Sequence, residues 1–199
     1  MKTVLLTGFT PFGGESINPS YEAIKIMESD KYRLIKVCIP TTFLGSIDIV
    51  IDYMSQFHPD LVLMVGQAGG RQGISLERFA VNLDDSEIPD NEGVIKHETN
   101  IISDGPTAYK TDLPLKPIML HLMQKGYPTK ISNSAGTYVC NHIMYGIYHH
   151  INSKKIKTKA LFVHVPYAHE QVKDRKETFS MSIEEISDAL NTIIETILE

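Results

Sequence analysis

One thiol, a set of imidazoles and a few carboxylates are the side chains here whose types and spacing suggest covalent chemistry. Cys140 is one of only two cysteines among 199 residues. It lies in Ser134-Ala135-Gly136-Thr137-Tyr138-Val139-Cys140-Asn141-His142, with small residues leading in and a helical periodicity from His142 to Ile151 leading out. A thiol at such a junction sits near orphan backbone N–H groups and the positive end of a helix, which favour the thiolate. A nucleophilic thiol also needs an imidazole to move its proton and a group that fixes the imidazole's tautomer. The alternative is a small buried hydrophobe, the commonest state of an isolated cysteine.

Eight histidines compete for the role of base. His164 ends the apolar run Leu161-Phe162-Val163-His164-Val165-Pro166, where a polar side chain needs a purpose or a partner. It reads equally as a core histidine bonded to backbone. His142, two residues past Cys140, points around the helix rather than at the thiol. His149 and His150 fall toward the helix C-terminus, where imidazole is electrostatically welcome, and His169 sits in the loop after the strand. For the orienting carboxylate, Glu77 interrupts the half-apolar stretch Ile74 to Val81, although Arg78 beside it also fits a surface charge pair. Asp84, Asp85 and Glu87 read as solvated turn residues.

Other chemistries fit less well. His149 and His150 are adjacent and no HExxH pattern is present, so no metal site is expected. The glycines of Gly66-Gln67-Ala68-Gly69-Gly70-Arg71 suggest phosphate binding but lack the Walker lysine and hydroxyl and do not match GxGxxG. Phe9 and Phe12, held by Pro11 and glycines, either line an apolar slot or simply pin a loop. A formal charge of −5 argues against a nucleic-acid partner. Nothing approaches a membrane span in length. No secretory signal is visible, and Cys38 and Cys140 have neither metal-like nor CxxC spacing, so reduced thiols in the cytoplasm are expected.

The elements that must position these groups follow from periodicity. Thr3 to Thr7, Leu34 to Ile39, Leu61 to Val65 and Ala160 to Val165 read as short buried strands. Asn18-Pro19 opens a helix through about Met27, Ser46 caps one with apolar positions Ile47, Val50, Ile51 and Met54, and another starts near Pro117 and stops at Gly126. Ser182 and Glu185 form a capping box for the last helix. Ile74 to Leu83 reads as an edge or hairpin strand, Asp84 to Pro106 as an irregular excursion, and Lys130 to Ser132 as a short run compatible with a strand. The alternation predicts an α/β protein, one domain over residues 1–199, with a mostly parallel sheet covered on both faces. Ligand sites then fall at the carboxyl ends of strands, which gathers the Phe9–Phe12 loop, the Gln67 loop, the Cys140 loop and His164.

Four segments, in order and at these separations, resemble pyroglutamyl peptidase type I, the pyrrolidone-carboxylate peptidases. They are Gly8-Phe9-Thr10-Pro11-Phe12-Gly13-Gly14 with Asn18-Pro19-Ser20; Gly66 to Arg71 through Ile74, Glu77 and Arg78, continued by Asn82 and Ile88-Pro89-Asp90-Asn91; Ser134 to Asn141; and His164-Val165-Pro166. The resemblance implies a single-domain three-layer α/β/α sandwich and a cysteine peptidase that removes N-terminal pyroglutamyl residues through a thioester. It implies Cys140 as nucleophile, His164 as general base and acid, and Glu77 orienting it. Phe9, Phe12, Gln67 and Val139 would bind substrate, with Arg71 and Asn141 supporting the loop and the oxyanion. It further implies no metal or organic cofactor, peptides with an N-terminal pyroglutamate as partners, and a homodimer or homotetramer. Ser134, where threonine is frequent, and Ala168-His169, where leucine-proline is usual, depart from the pattern, and the second puts the loop after Tyr167 in question. A cysteine amidohydrolase or transferase of altered specificity, and a ligand-binding protein without catalysis, are the alternatives.

Overall fold

The structure, a computed structural model, describes residues 1–198. The chain order is β1 (Lys2–Phe9), α1 (Pro19–Ile26), β2 (Tyr32–Ile39), α2 (Ser46–Phe57), β3 (Leu61–Gln67), β4 (Ile74–Glu77), β5 (Phe79–Val81), β6 (Ala108–Lys110) and α3 (Leu115–Gln124). It continues with β7 (Thr129–Ser132), α4 (Val139–Lys154), β8 (Lys159–Val165), β9 (Tyr167–Ala168), β10 (Ser180–Met181) and α5 (Ile183–Leu198). Six strands form one sheet in the order β2-β1-β3-β8-β4-β7, parallel throughout except where β4 meets β8.

Side-chain alternation sorts the core into two layers. Val4, Leu6, Leu63, Val65, Val163 and Leu76 face α1, α3 and α5, while Leu5, Phe9, Val62, Met64 and Phe162 face α2 and α4. The fold is thus the expected three-layer α/β/α sandwich. Residues on β3 and β8 are buried on both sides, which explains why those strands read as continuous apolar runs.

Local signals placed several element ends. Asn18 caps α1, its Oδ1 accepting from Ser20 N at 3.1 Å, and Ser20 Oγ in turn accepts from Phe9 N at 3.0 Å, tying the end of β1 to the start of α1. Gly8 permits that approach, since a Cβ there would lie 2.7 Å from the backbone of Tyr21. The Ser182–Glu185 box forms in both directions, at 2.8 and 3.1 Å.

Four expectations are corrected. Ser46 is not a cap: it is the first residue of α2, Gly45 precedes it in the left-handed region at φ 78°, and its hydroxyl is buried without a partner. α3 begins at Leu115, so Pro117 sits inside the first turn, where no helical N–H is required of it. Ile74 to Leu83 is not one continuous edge or hairpin strand. It breaks into β4, which enters the main sheet between β8 and β7, and β5, which pairs with β6 elsewhere. Asp84 is not solvated: it is buried, and its carboxylate meets His142 Nδ1 at 2.8 Å.

Candidate active site

Three neighbouring strands carry the reactive groups. Gly66 on β3 is the register partner of His164 on β8, and His164 is in turn the partner of Ser75 on β4. Ile74 and Leu76 face the other core layer, so alternation aims Glu77 at the α4 side, with His164. His164 Nδ1 lies 2.8 Å from Glu77 Oε1, and Arg71 Nη1 donates to the same oxygen at 2.5 Å. The arginine's other nitrogen donates to Ser134 O at 3.3 Å, which links the Gly-rich loop to the segment leading into α4.

Cys140 is the second residue of α4. The helix's first backbone bond runs from His142 N to Tyr138 O, leaving the N–H groups of Val139, Cys140 and Asn141 without helical acceptors. The half-buried thiol descends onto the bare backbone of Gly66, and a Cβ built there would lie 2.9 Å from Sγ. Cys140 and His164 line one cavity of about 210 Å³ together with Phe9, Phe12, Gln67 and Tyr138. Among the described residues the thiol makes no hydrogen bond. A larger cavity of about 320 Å³ opens beside Lys159, at the start of β8 and so at the opposite end of the sheet, and contains none of these groups.

The charge states follow from burial and neighbours. Glu77 is 0 % exposed. Burial would raise its pKa, but the hydrogen bond and charge of His164, with Arg71 behind them, hold it below the ordinary carboxylate value. An ionised carboxylate only accepts, so His164 Nδ1 carries the proton and Nε2 keeps its lone pair. Burial lowers the pKa of His164 below 6.5 against the opposing pull of Glu77, so the imidazole rests neutral near pH 7. Burial, followed by the charge of Glu77, pushes Cys140 up to about 12. Enclosure and the charge of Glu77 thus oppose the thiolate that the helix N-terminus favours.

The remaining expected site residues divide. Phe9, 2 % exposed, packs against Phe162 at 6.4 Å between ring centroids, while the half-buried Phe12 tilts on Tyr138 at 6.3 Å. Both reach the cavity. Gln67 reaches it as well, but its side-chain Oε1 accepts from Gln171 Nε2 at 2.9 Å. Its backbone is differently placed. Ala68 N donates to Val165 O, and alternate residues of a parallel ladder turn to opposite neighbours, so the N–H and C=O of Gln67 face the β1 side, where pairing stops at Thr7 and Met64. These groups edge the crevice between β1 and β3, where the strand order reverses direction, the usual ligand position in such sheets.

Two assignments are corrected. Val139, 0 % exposed, belongs to the core and does not line the cavity; only its backbone N–H is available to a ligand. The side chain of Asn141 is fully engaged by β5 and its continuation, accepting from Val81 N and donating to Val81 O and Leu83 O at 2.9 to 3.0 Å, so it supports the loop and not an oxyanion. Arg71, which also lines the cavity, supports the loop through Glu77 and Ser134 O. Arg78 forms no charge pair with Glu77 and donates instead to Asn133 Oδ1 at 3.0 Å.

Sequence reasoning missed Tyr138 and Thr41, which also line the cavity. Tyr138 donates to Pro89 O at 3.0 Å, Asp90 accepts from Phe43 N at 2.8 Å, and Asn91 donates to Pro11 O at 2.8 Å. The polar excursion after Leu83 thus braces the cavity mouth. The only hint was its richness in turn-forming Asp and Asn. The loop after Tyr167, which departs from the pattern, forms the short strand β9 and a 3₁₀ turn over His169–Val172, from which Gln171 reaches Gln67. Among the described residues no cluster of His, Cys, Asp or Glu could hold a metal ion, and no helix is long and apolar enough to cross a membrane.

Comparisons with known proteins agree along the whole chain. The family model described as pyroglutamyl peptidase matches residues 2–199. A pyrrolidone-carboxylate peptidase of Brevibacillus brevis is 46% identical over 98% of this chain and 93% of its own length. One of Thermosipho melanesiensis is also 46% identical, over 98% of each chain. The crystal structure of pyroglutamyl peptidase I from Bacillus amyloliquefaciens superposes with a TM-score of 0.94 at 40% identity, covering 98% of this chain and 94% of that one. A mutant pyrrolidone carboxyl peptidase of Pyrococcus furiosus gives 0.94 at 39% identity, covering 98% of each.

Proposed function

The chain belongs to the pyroglutamyl peptidase family, and from that premise we propose that Cys140, His164 and Glu77 carry its removal of N-terminal pyroglutamyl residues from peptides. The observation that carries this reading is the 2.8 Å bond from His164 Nδ1 to a buried, ionised Glu77, with the free side of the ring sharing a cavity with the thiol.

Neutral His164 takes the thiol proton at Nε2 as sulfur attacks the carbonyl that joins pyroglutamate to the next residue. Glu77 stabilises the imidazolium that forms. The developing oxyanion meets the free N–H groups at the start of α4, which need no reorganisation at that moment. The imidazolium then passes its proton to the leaving amine. In its neutral form again, His164 activates water to hydrolyse the thioester.

Substrate choice follows from a site without a counter-charge. The pyroglutamyl ring is neutral, and the flat surfaces of Phe9, Phe12 and Tyr138 suit it. Its lactam presents one N–H and one C=O, which match the C=O and N–H of Gln67. Proline lacks the lactam carbonyl and leaves the Gln67 N–H unpaired in the cavity, a mismatch of the kind that discriminates strongly. Because Phe9 comes from β1 and His164 from β8, the functional unit in this proposal is the whole chain. The proposal also includes homo-oligomeric assembly and a cytoplasmic location, which sedimentation and cell fractionation test.

The test is hydrolysis of pyroglutamyl, prolyl and glutamyl amides by the wild type and by Cys140→Ala. Cleavage of the pyroglutamyl amide alone, lost in the variant by roughly a thousandfold or more, is expected. Wild-type turnover without the thiol would end the nucleophile assignment, and preference for the prolyl or glutamyl amide would end the specificity assignment.

A further inference from the structure

We propose that the absent side chain at Gly66 is a positioning device of the reaction: the space it leaves is what allows the Cys140 thiol to sit beside His164. The inference deepens the proposed function and rests on Cys140 being the nucleophile.

Glycine is commonly retained where the backbone must enter the left-handed region. Gly66 is not such a case. It lies inside β3, fully buried, and is not among the residues of positive φ. What it supplies is room. A Cβ at this position would fall 2.9 Å from Cys140 Sγ, 2.9 Å from Phe162 Cζ and 3.2 Å from Phe162 Cε1. Two of these separations are closer than real Cβ contacts become, so one neighbour has to move.

Phe162 cannot retreat. It is 0 % exposed, its ring lies 4.9 Å from the His164 ring and 6.4 Å from that of Phe9, and a close-packed interior offers no vacancy of ring size. The backbone of Cys140 is no freer. Val139 before it is buried in the core, and Asn141 after it is held by three hydrogen bonds to Val81 and Leu83. The part left to yield is the thiol itself, by rotation about its Cα–Cβ bond. Because Gly66 is the register partner of His164, a methyl group there stands in the row that sulfur and imidazole share, and rotation carries sulfur out of it.

The displacement would leave the rim untouched. The three nearest atoms to the added methyl belong to Cys140 and Phe162 and none to the rim residues Phe12 and Thr41, so ring binding is expected to persist while attack fails. A misplacement of about 1 Å at reacting atoms costs on the order of a hundredfold in rate.

The experiment compares wild type, Gly66→Ala, Cys140→Ala and the double variant, as full chains. Gly66→Ala is expected to lower kcat about a hundredfold with KM for the pyroglutamyl amide changed less than about threefold. In a Cys38→Ser background, iodoacetamide alkylation of Cys140 should lose the pH inflection below 6.5 that His164 imposes on the wild type, a signature that packing alone would not move. The thermal arm is independent of activity. The fall in Tm caused by Gly66→Ala should be smaller when Cys140 is Ala than when it is Cys, because the clash partner is gone. If Gly66→Ala does not fold by itself, recovery of folding in the double variant supports the contact. Wild-type kcat in Gly66→Ala, or the same loss of Tm or of folding in both backgrounds, overturns the inference. Retained hydrolysis by Cys140→Ala would instead overturn the proposed nucleophile, and the thermal arm would still report on the contact.

Discussion

Two buried histidine–carboxylate pairs lie within this molecule, and their bond lengths do not distinguish them. His164 Nδ1 meets Glu77 at 2.8 Å, and His142 Nδ1 meets Asp84 at 2.8 Å. Their surroundings do. Glu77 receives Arg71 on the same oxygen, and its histidine shares a cavity with Cys140, Phe12 and Tyr138. Asp84 receives no arginine, and the His142 ring packs edge-on against Phe43 at 5.6 Å; the second oxygen of each carboxylate is buried without a hydrogen-bond partner. Backbone bonds run both ways between Asp84 and Thr99, so this second pair pins the polar excursion to the first turn of α4. An imidazole–carboxylate pair is therefore a tautomer lock in both places. It becomes proton-transfer machinery only where the other nitrogen faces a reacting atom.

Isosteric changes at the two carboxylates should separate the pairs most widely. Glu77→Gln removes the charge that stabilises the imidazolium and puts an amide that can donate where the carboxylate only accepts, and is expected to lower kcat by about a thousandfold. Asp84→Asn, at an equal bond length, should lower it by less than about tenfold. Steady-state rates on a pyroglutamyl amide decide, and comparable losses would erase the distinction drawn here.

Stability should respond in the opposite sense. Replacing His142 by Leu leaves the Asp84 carboxylate buried and unpaired, and costs about 2–4 kcal/mol in urea unfolding. A loss under about 0.5 kcal/mol would show that the pair does not hold the excursion.

A third contrast lies in pH. Because the folded-state pKa of His164 is below 6.5, the unfolded chain binds the extra proton first as pH falls. The contribution of His164 to stability is thus complete above 6.5 and is lost as pH drops from there toward its lower folded value. Glu77, also lowered, adds a second loss below 4.5, the ordinary glutamate value. Unfolding free energies from about pH 8 to about pH 2 should fall through both windows, and in His164→Gln the first loss should shrink. The acid limb of kcat/KM should follow the same depressed pKa. A midpoint above 6.5 would contradict a neutral resting imidazole.

The smallest effect is expected at the other thiol. Cys38 is exposed on β2, an edge strand, and does not line the cavity. Cys38→Ser should leave kcat unchanged and stability within about 0.5 kcal/mol.

Much of the architecture was legible because its signals are local. Asn18 and Pro19 start α1, and Ser182 with Glu185 starts α5, through contacts spanning two or three residues. The buried runs of β3 and β8 announce strands with both faces covered. The same locality explains the misses. Ser46 resembled a cap, but its hydroxyl is buried without a partner, and Gly45 takes the turn instead. Asp84 resembled a solvated turn residue until a histidine from α4 closed on it.

The sequence by itself determined the alternation of strands and helices, the loop ends where reactive groups gather, and the thiol, imidazole and carboxylate on which the reaction is proposed to depend. Only the tertiary structure decided how they meet. Glu77 reaches His164 across 87 residues because β4 enters the sheet antiparallel beside β8, a strand order that periodicity does not encode. It also decided how the thiol is enclosed. Burial by residues from distant elements raises its pKa, against the helix terminus that is visible in the linear sequence and favours the thiolate.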